Sequence, residues 1–355
     1  MYERIMINLY ELTQEQLVDL FKQWGEPAFR AKQVCQWLYD KRVSSFEAMK
    51  NLPKELRTRL EAETTLGTLN MVTEQVSSDG TIKRLYKLPD GQLIESVLMP
   101  YDDDRRTACI STQAGCAMGC VFCATGQMGF SRHLTPTEIF EQALRFAIEL
   151  EAEGDRLSNV VLMGMGEPFH NYDASITAIH RLMDDLGIGA RHITVSTVGL
   201  VPQIRRFADE GLQVKLAISL HAATDSERVS LLPVNKRWPL AELIAACREY
   251  VDKTGRRITF EWAAIQGEND TSEQAHALGK LLKGMLCHVN IIPLNPTGGY
   301  HHGPSAGERI DQFIDTLATY GVSATVRVRR GIDIDAGCGQ LKAAVISPNE
   351  ISGSA

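Results

Sequence analysis

No run in the sequence approaches the roughly 20 apolar residues that a helix needs to cross a bilayer. The first residues, MYERIMINLYELTQEQ, lack the basic-then-apolar order of a secretory signal. Both absences point to a cytoplasmic protein. Internal repeats and low-complexity tracts are missing as well. Positive charge is in deficit: 37 Lys and Arg against 44 Asp and Glu leave a formal charge of −7, which argues against a general affinity for nucleic acid. What is present, 355 residues of which 44% are hydrophobic and 23% charged, is the makeup of a globular chain that can hold one large domain or two.

The charge is uneven. Residues 22–60 hold nine Lys or Arg against four acids, a net of +5 that leaves −12 for the rest. A basic segment on an acidic protein is either a phosphate-binding surface or a solvated helical face, and charge alone does not choose. The eight cysteines are uneven too. Cys109, Cys116, Cys120 and Cys123 crowd into fifteen residues, while Cys35, Cys247, Cys287 and Cys338 are scattered. In a reducing cytosol such crowding reads as metal ligation or thiol chemistry.

Four parts follow along the chain. Residues 1–65 read as a small helical domain: Thr13 with Gln16 forms a capping-box start, and Leu17, Leu20 and Phe21 recur at helical spacing. Residues 66–104 change to extended runs broken by Asp79-Gly80 and Asp90-Gly91, which predicts a small antiparallel linker. Residues 105–345 alternate short β-rich runs with longer helical ones, from TACIS through SNVVLM, RHITVS, QVKLAIS, RITFEWAA and HVNIIP to SATVRVR. This predicts an α/β fold, an open partial barrel of about six βα units, in preference to a doubly wound sheet. Residues 346–355 read as a flexible tail.

CAMGCVFC places Cys116, Cys120 and Cys123 at spacing C-x3-C-x2-C on the loop after the first barrel strand. Structural zinc favours four ligands in two C-x2-C pairs, whereas three thiolates on one loop suit a 4Fe-4S cluster with one iron open; zinc and a fully ligated cluster stay as alternatives. Four predicted strands also end in polar groups. GMGEP follows NVVLM, Ser196 ends RHITVS, Ser219, Leu220 and His221 end QVKLAIS, and Asn295 follows HVNIIP. In βα barrels that end forms the site, although each residue alone would read as a helix cap. GMGEP is no dinucleotide fingerprint, since Phe169 stands where a third glycine is required; its glycines suit a close backbone approach to a ligand, with Glu167 accepting from an ammonium group. Cys338, between glycines in RRGIDIDAGCGQL, reads as a mobile, accessible thiol. Glu95 is the lone acid on the strand face of Leu93, Val97 and Met99, and is therefore either paired or functional.

Together FRAKQ, CISTQAGCAMGCVFCATGQMGF, GMGEP, SLH, NIIPLNP and GIDIDAGCGQL, between about residue 20 and residue 345, resemble the RlmN-type adenine-C2 RNA methyltransferases of the radical S-adenosylmethionine superfamily. The resemblance implies a partial (βα)6 barrel behind a helical RNA-binding domain. It implies that Cys116, Cys120 and Cys123 hold a 4Fe-4S cluster, and that Gly166, Glu167, Ser196, Ser219, Leu220, His221 and Asn295 hold S-adenosylmethionine. Cys338 is similar to the methyl-carrying cysteine, Cys109 to its resolving partner and Glu95 to the proton acceptor. Carbon 2 of adenine is too electron-poor to attack a sulfonium methyl. The family therefore loads the methyl on a cysteine from one S-adenosylmethionine and uses a second to make it a carbon radical. The substrates implied are an adenine in the peptidyl-transferase region of 23S rRNA and the adenine 3′ of some tRNA anticodons. An external one-electron reductant such as a flavodoxin is implied, and a monomer is expected. Gly337 departs from the family's usual alanine, a change that would loosen the Cys338 loop, while Pro168 and GQMGF favour RlmN over its relative Cfr.

Overall fold

The computed structural model describes residues 6–343, so the segment read as a tail lies outside the described residues. Helix α1 (Gln14–Gln23) starts with the reciprocal Thr13–Gln16 capping box and buries Leu17 and Phe21. Helix α2 (Phe29–Cys35) runs on into a wider turn through Asp40, and α3 (Lys54–Glu63) begins after Pro53. Two-residue strands β1 (Ile7–Asn8) and β2 (Thr64–Thr65) pair in parallel and close this helical unit at its two ends.

Strands β3 (Asn70–Val76), β4 (Ile82–Lys87) and β5 (Leu93–Pro100) form an antiparallel meander. Gly80 and Gly91 take φ of 80° and 84° in its turns, a conformation in which glycine has no Cβ penalty. The meander does not stand apart: β5 pairs with β6 (Arg106–Cys109), Val97 facing Cys109, and so extends the barrel sheet. A separate ribbon, β7 (Gln113–Gly115) with β8 (Phe130–His133), brackets the cysteine loop and the short α4 (Ala124–Met128). Helix α5 (Pro136–Ala152) starts with the Thr135–Glu138 capping box and Pro136 at its first position.

The remaining strands are β9 (Asn159–Leu162), β10 (Ile193–Thr197), β11 (Lys215–Ser219), β12 (Ile258–Ala264), β13 (Cys287–Pro293) and β14 (Ser323–Val326). The sheet order is β3-β4-β5-β6-β9-β10-β11-β12-β13-β14, parallel from β6 onward. Helices cross between successive parallel strands, giving the open partial barrel of six units that the alternation predicts. One core runs through the molecule, from Leu9 and Tyr10 of the helical unit to Phe140, Phe260 and Leu317 of the barrel.

Candidate active site

The parallel strands end on a common cavity. Gly166, Glu167, Ser196, Ser219, His221 and Asn295 line it, and so do Cys116, Cys120, Cys123 and Cys338. The helix-cap alternative therefore fails for this set as a whole: residues far apart in sequence converge on one space. Leu220 does not reach the cavity with its side chain, which is wholly buried; its carbonyl accepts from Arg228 Nε at 3.1 Å. Arg228 is itself fully buried and also donates to Val198 O at 2.6 Å and Ser219 O at 3.2 Å. It ties the ends of β10 and β11 together, and nothing in the helical pattern around it signals that task.

The GMGEP glycines have an internal explanation rather than a ligand-driven one. A Cβ on Gly166, where φ is +102°, would fall 2.6 Å from Gln113 Cβ, and one on Gly164 would fall 2.8 Å from Ile110 O. Glu167 Oε1 accepts from Phe169 N at 2.9 Å and Oε2 from Val198 N at 2.8 Å. Burial nevertheless outweighs these bonds and pushes its carboxyl up to about 7. Burial, with help from Arg228, lowers His221 to about 3, so its ring is neutral; Nδ1 accepts from Ala263 N at 2.9 Å.

Cys116, Cys120 and Cys123 sit on the loop between β7 and α4, which Cys116 N fastens to Gly129 O at 2.7 Å. Burial raises all three thiols, Cys116 to about 12, and the charges of neighbouring cysteines add to it. Ionising three such thiols requires a cation. Among the described residues no three His, Cys, Asp or Glu side chains converge on a single metal ion. A cuboidal cluster takes each cysteine on a different iron, and so suits thiols set apart around one cavity.

Behind the Cys338 loop a second cavity is lined by Tyr101, Cys109, Arg327 and Cys338. Cys338 is exposed and borders both cavities; Cys109 is half-buried, and both are free thiols. Burial and the facing Cys338 push the Cys109 thiol up to about 12. The loop is tethered rather than slack. Asn295 Nδ2 donates to Cys338 O at 3.0 Å, Ala124 N to Gly339 O at 2.7 Å, and Lys342 N to Glu95 Oε2 at 2.9 Å. A Cβ on Gly337 would fall 2.7 Å from Asn295 Nδ2 and 2.6 Å from Gln340 Oε1, so glycine there lets these side chains close on the loop. Glu95 is paired: Lys83 Nζ lies 3.7 Å away, and both are buried.

Residues 7–66 match the ribosomal RNA large subunit methyltransferase N-terminal domain, and residues 110–278 match the radical SAM superfamily. The chain is 57% identical over 341 residues to the dual-specificity RNA methyltransferase RlmN 1 of Myxococcus xanthus, covering 95% of each chain. It is 48% identical to a probable dual-specificity RNA methyltransferase RlmN of Halalkalibacterium halodurans, covering 95% of this chain and 93% of the other. A crystal structure of a radical SAM methyltransferase from Sphaerobacter thermophilus superposes with a TM-score of 0.91 at 49% identity, covering 95% and 100%. The chain belongs to the RlmN family. It is a radical S-adenosylmethionine RNA methyltransferase, with S-adenosylmethionine and a 4Fe-4S cluster as its cofactors.

The cavity fits that cofactor on one observation above all. Asn295 is buried, its Nδ2 is spent on Cys338 O, and its Oδ1 has no hydrogen-bond partner among the described residues. An acceptor left bare in that place calls for a ligand donor. Sequence reasoning missed Glu261 and Arg327, which also line the cavity. Glu261 is buried and takes Asn290 Nδ2 at 2.8 Å; both sit inside strands that read only as β. The run Arg327-Val328-Arg329-Arg330, three cations in four residues directly after β14, was the available signal.

Proposed function

We propose that this enzyme methylates carbon 2 of adenine in 23S rRNA and in tRNA through a methyl group carried on Cys338. The observation that carries the reading is the place of Cys338, exposed on a loop between the cavity of the three cysteines and the cavity of Cys109. When bound, the cluster and S-adenosylmethionine supply a radical able to take hydrogen from a methyl group. The chain's own groups do the rest. The Cys338 sulfur, with the Arg327 guanidinium facing it, attacks the methyl carbon of one S-adenosylmethionine; the methyl–sulfonium bond breaks and S-adenosylhomocysteine leaves. The carbon so loaded bonds to C2 of the adenine and links RNA to Cys338. The adduct radical gives up one electron and its C2 proton, the proton going to Glu95 or a group it positions. Cys109 then attacks the Cys338 sulfur, the S–CH2 bond breaks toward the adenine, the released carbon takes a proton as the new methyl group, and a Cys109–Cys338 disulfide remains that an external reductant reopens with two electrons.

Glu95 enters this scheme with its oxygens on Lys83 and Lys342 N, which supports loop positioning as much as proton transfer. The helical unit supports RNA contact. Lys41 lies over the Trp37 ring at 3.9 Å, Arg59 over Trp24 at 4.4 Å and Arg30 over the exposed Phe29 at 4.8 Å, an interleaving of cations and rings that suits nucleotides.

The test is a pair of variants that fail at different steps. Cys338→Ala has no methyl acceptor and forms neither methylated RNA nor an RNA–protein link. Cys109→Ala accepts the methyl, adds to adenine and stops, so a denaturing gel shows a shifted band attached through Cys338. Were both cysteines merely packing residues, each alanine would lower stability and activity together and leave no band.

A further inference from the structure

The rim of the second cavity carries two charges, Arg329 and Arg330, that the scheme above does not use. Its wall passes through Tyr101, Arg327, Val328, Arg329 and Arg330 before it reaches Cys338. The three arginines are not equivalent. Arg327 is half-buried, borders both cavities and faces Cys338 and Glu261, so its charge is directed inward. Arg329 is exposed. Arg330 lies against the Tyr101 ring, its guanidinium 4.7 Å from the centroid, and its Nε is buried with no hydrogen-bond partner among the described residues.

Nearby acids do not neutralise this rim. Asp103 pairs with Arg105, which itself lies 4.4 Å from the Tyr101 centroid. Asp333 accepts from Ser77 and Ser78, and Asp335 pairs with Lys342. No ion pair of Arg329 or Arg330 is present among the described residues, and the formal excess of acid in the whole chain makes these two the more conspicuous. A guanidinium steadied on an aromatic face keeps its planar fork free, and that fork matches a phosphate. Val328, 68% exposed, leaves the same segment open to a partner.

We infer that Arg329 and Arg330 hold the RNA phosphates flanking the target nucleotide, while the cavity behind them receives its base. The inference rests on the RNA reading proposed above. A ring carbon that must reach Cys338 cannot stay in a base stack, so the nucleotide is turned out of its strand. The phosphates on either side then come to the mouth of the cavity, where the two cations stand. A contact of this kind is blind to base identity and fixes the position of the backbone.

The probe is a stem–loop RNA with an unpaired adenine in its loop, its binding measured over a range of salt concentrations. With both arginines changed to alanine (R329A, R330A), affinity falls about tenfold, and the slope of log affinity against log salt flattens by about 1.4, close to 0.7 for each single-strand phosphate that is no longer neutralised. With both changed to lysine the slope stays near that of the unaltered protein, because charge is kept although the bidentate fork is lost. Iron content and melting midpoint stay unchanged in both. Unaltered affinity and slope in the alanine variant would overturn the assignment. So would weaker binding at an unchanged slope, or a loss of iron or of folding, since either makes the arginines structural. If instead the unaltered enzyme leaves carbon 2 unmethylated, the reaction proposed above fails while the binding slope still reports on the rim.

Discussion

Glu167 carries a conflict that a cationic ligand would resolve. In the folded chain its carboxyl holds a proton up to about 7, whereas the unfolded chain loses it near the ordinary 4.5. The folded state therefore binds more protons across that window. This group's contribution to stability is present below about pH 4.5 and fades as pH rises toward 7. A cationic ligand favours the carboxylate and drives that proton off. At pH 6 the binding of S-adenosylmethionine to the cluster-loaded protein should release about one proton more in the unaltered enzyme than in Glu167→Gln, and the difference should vanish at pH 8.5. Calorimetry in two buffers of different ionisation enthalpy measures it. Equal release at pH 6 would show that Glu167 does not meet the cation. His221, neutral down to about pH 3, adds nothing in this range.

Among the elements, the antiparallel meander has a task that its sequence does not disclose. Its β3–β4 turn holds the base of the Cys338 loop. Gly331 N donates to Asp79 Oδ2 at 3.0 Å, Asp333 accepts from Ser77 and Ser78, and Lys83 Nζ donates to Asp335 O at 3.4 Å. Ala336 and Leu341 of the loop pack with Leu85, Val97 and Met99 of the meander. The hairpins were legible, because Asp-Gly turns and alternation are local signals. The tether was not, because its partners lie some 250 positions apart and no local period links them. Burial pushes the Asp79 carboxyl up, but hydrogen bonds from Thr81, Gly331 and Ser77 prevail and hold it at about 2. Its share of stability is thus complete above about pH 4 and lost as pH falls toward 2. Asp79→Ala should weaken the tether by about 1–2 kcal/mol and raise amide exchange across residues 331–342 roughly tenfold, with the barrel strands unchanged. Unaltered exchange in that segment would mean that the remaining contacts hold the loop alone.

At the scale of the whole molecule, the helical unit and the barrel share one core. Leu9 and Tyr10 are buried with it, Arg181 Nη2 of the barrel donates to the Tyr39 hydroxyl at 3.2 Å, and buried Glu141 of α5 accepts from Thr68 N and Leu69 N at 2.9 and 3.1 Å. Removing residues 1–65 would bare that core, so loss of RNA binding in such a truncation could not be separated from loss of folding. Surface charge offers the cleaner experiment. The composition reads as unfavourable to RNA because −7 is an average, and the structure leaves Lys32, Lys41, Lys50 and Lys54 of the basic segment exposed. Replacing these four with Gln removes charge without disturbing a buried side chain, and surface changes of that kind usually alter stability by no more than about 0.5 kcal/mol. If the unit carries the RNA, affinity should fall and the salt slope should flatten by about 0.7 to 0.9 for each phosphate left without its cation. Methyl loading of Cys338 measured without RNA should continue, since these lysines lie outside both cavities. An unchanged slope would make the segment a solvated cap on the barrel, and the rim at Arg329 and Arg330 would then have to account for the electrostatic attraction by itself.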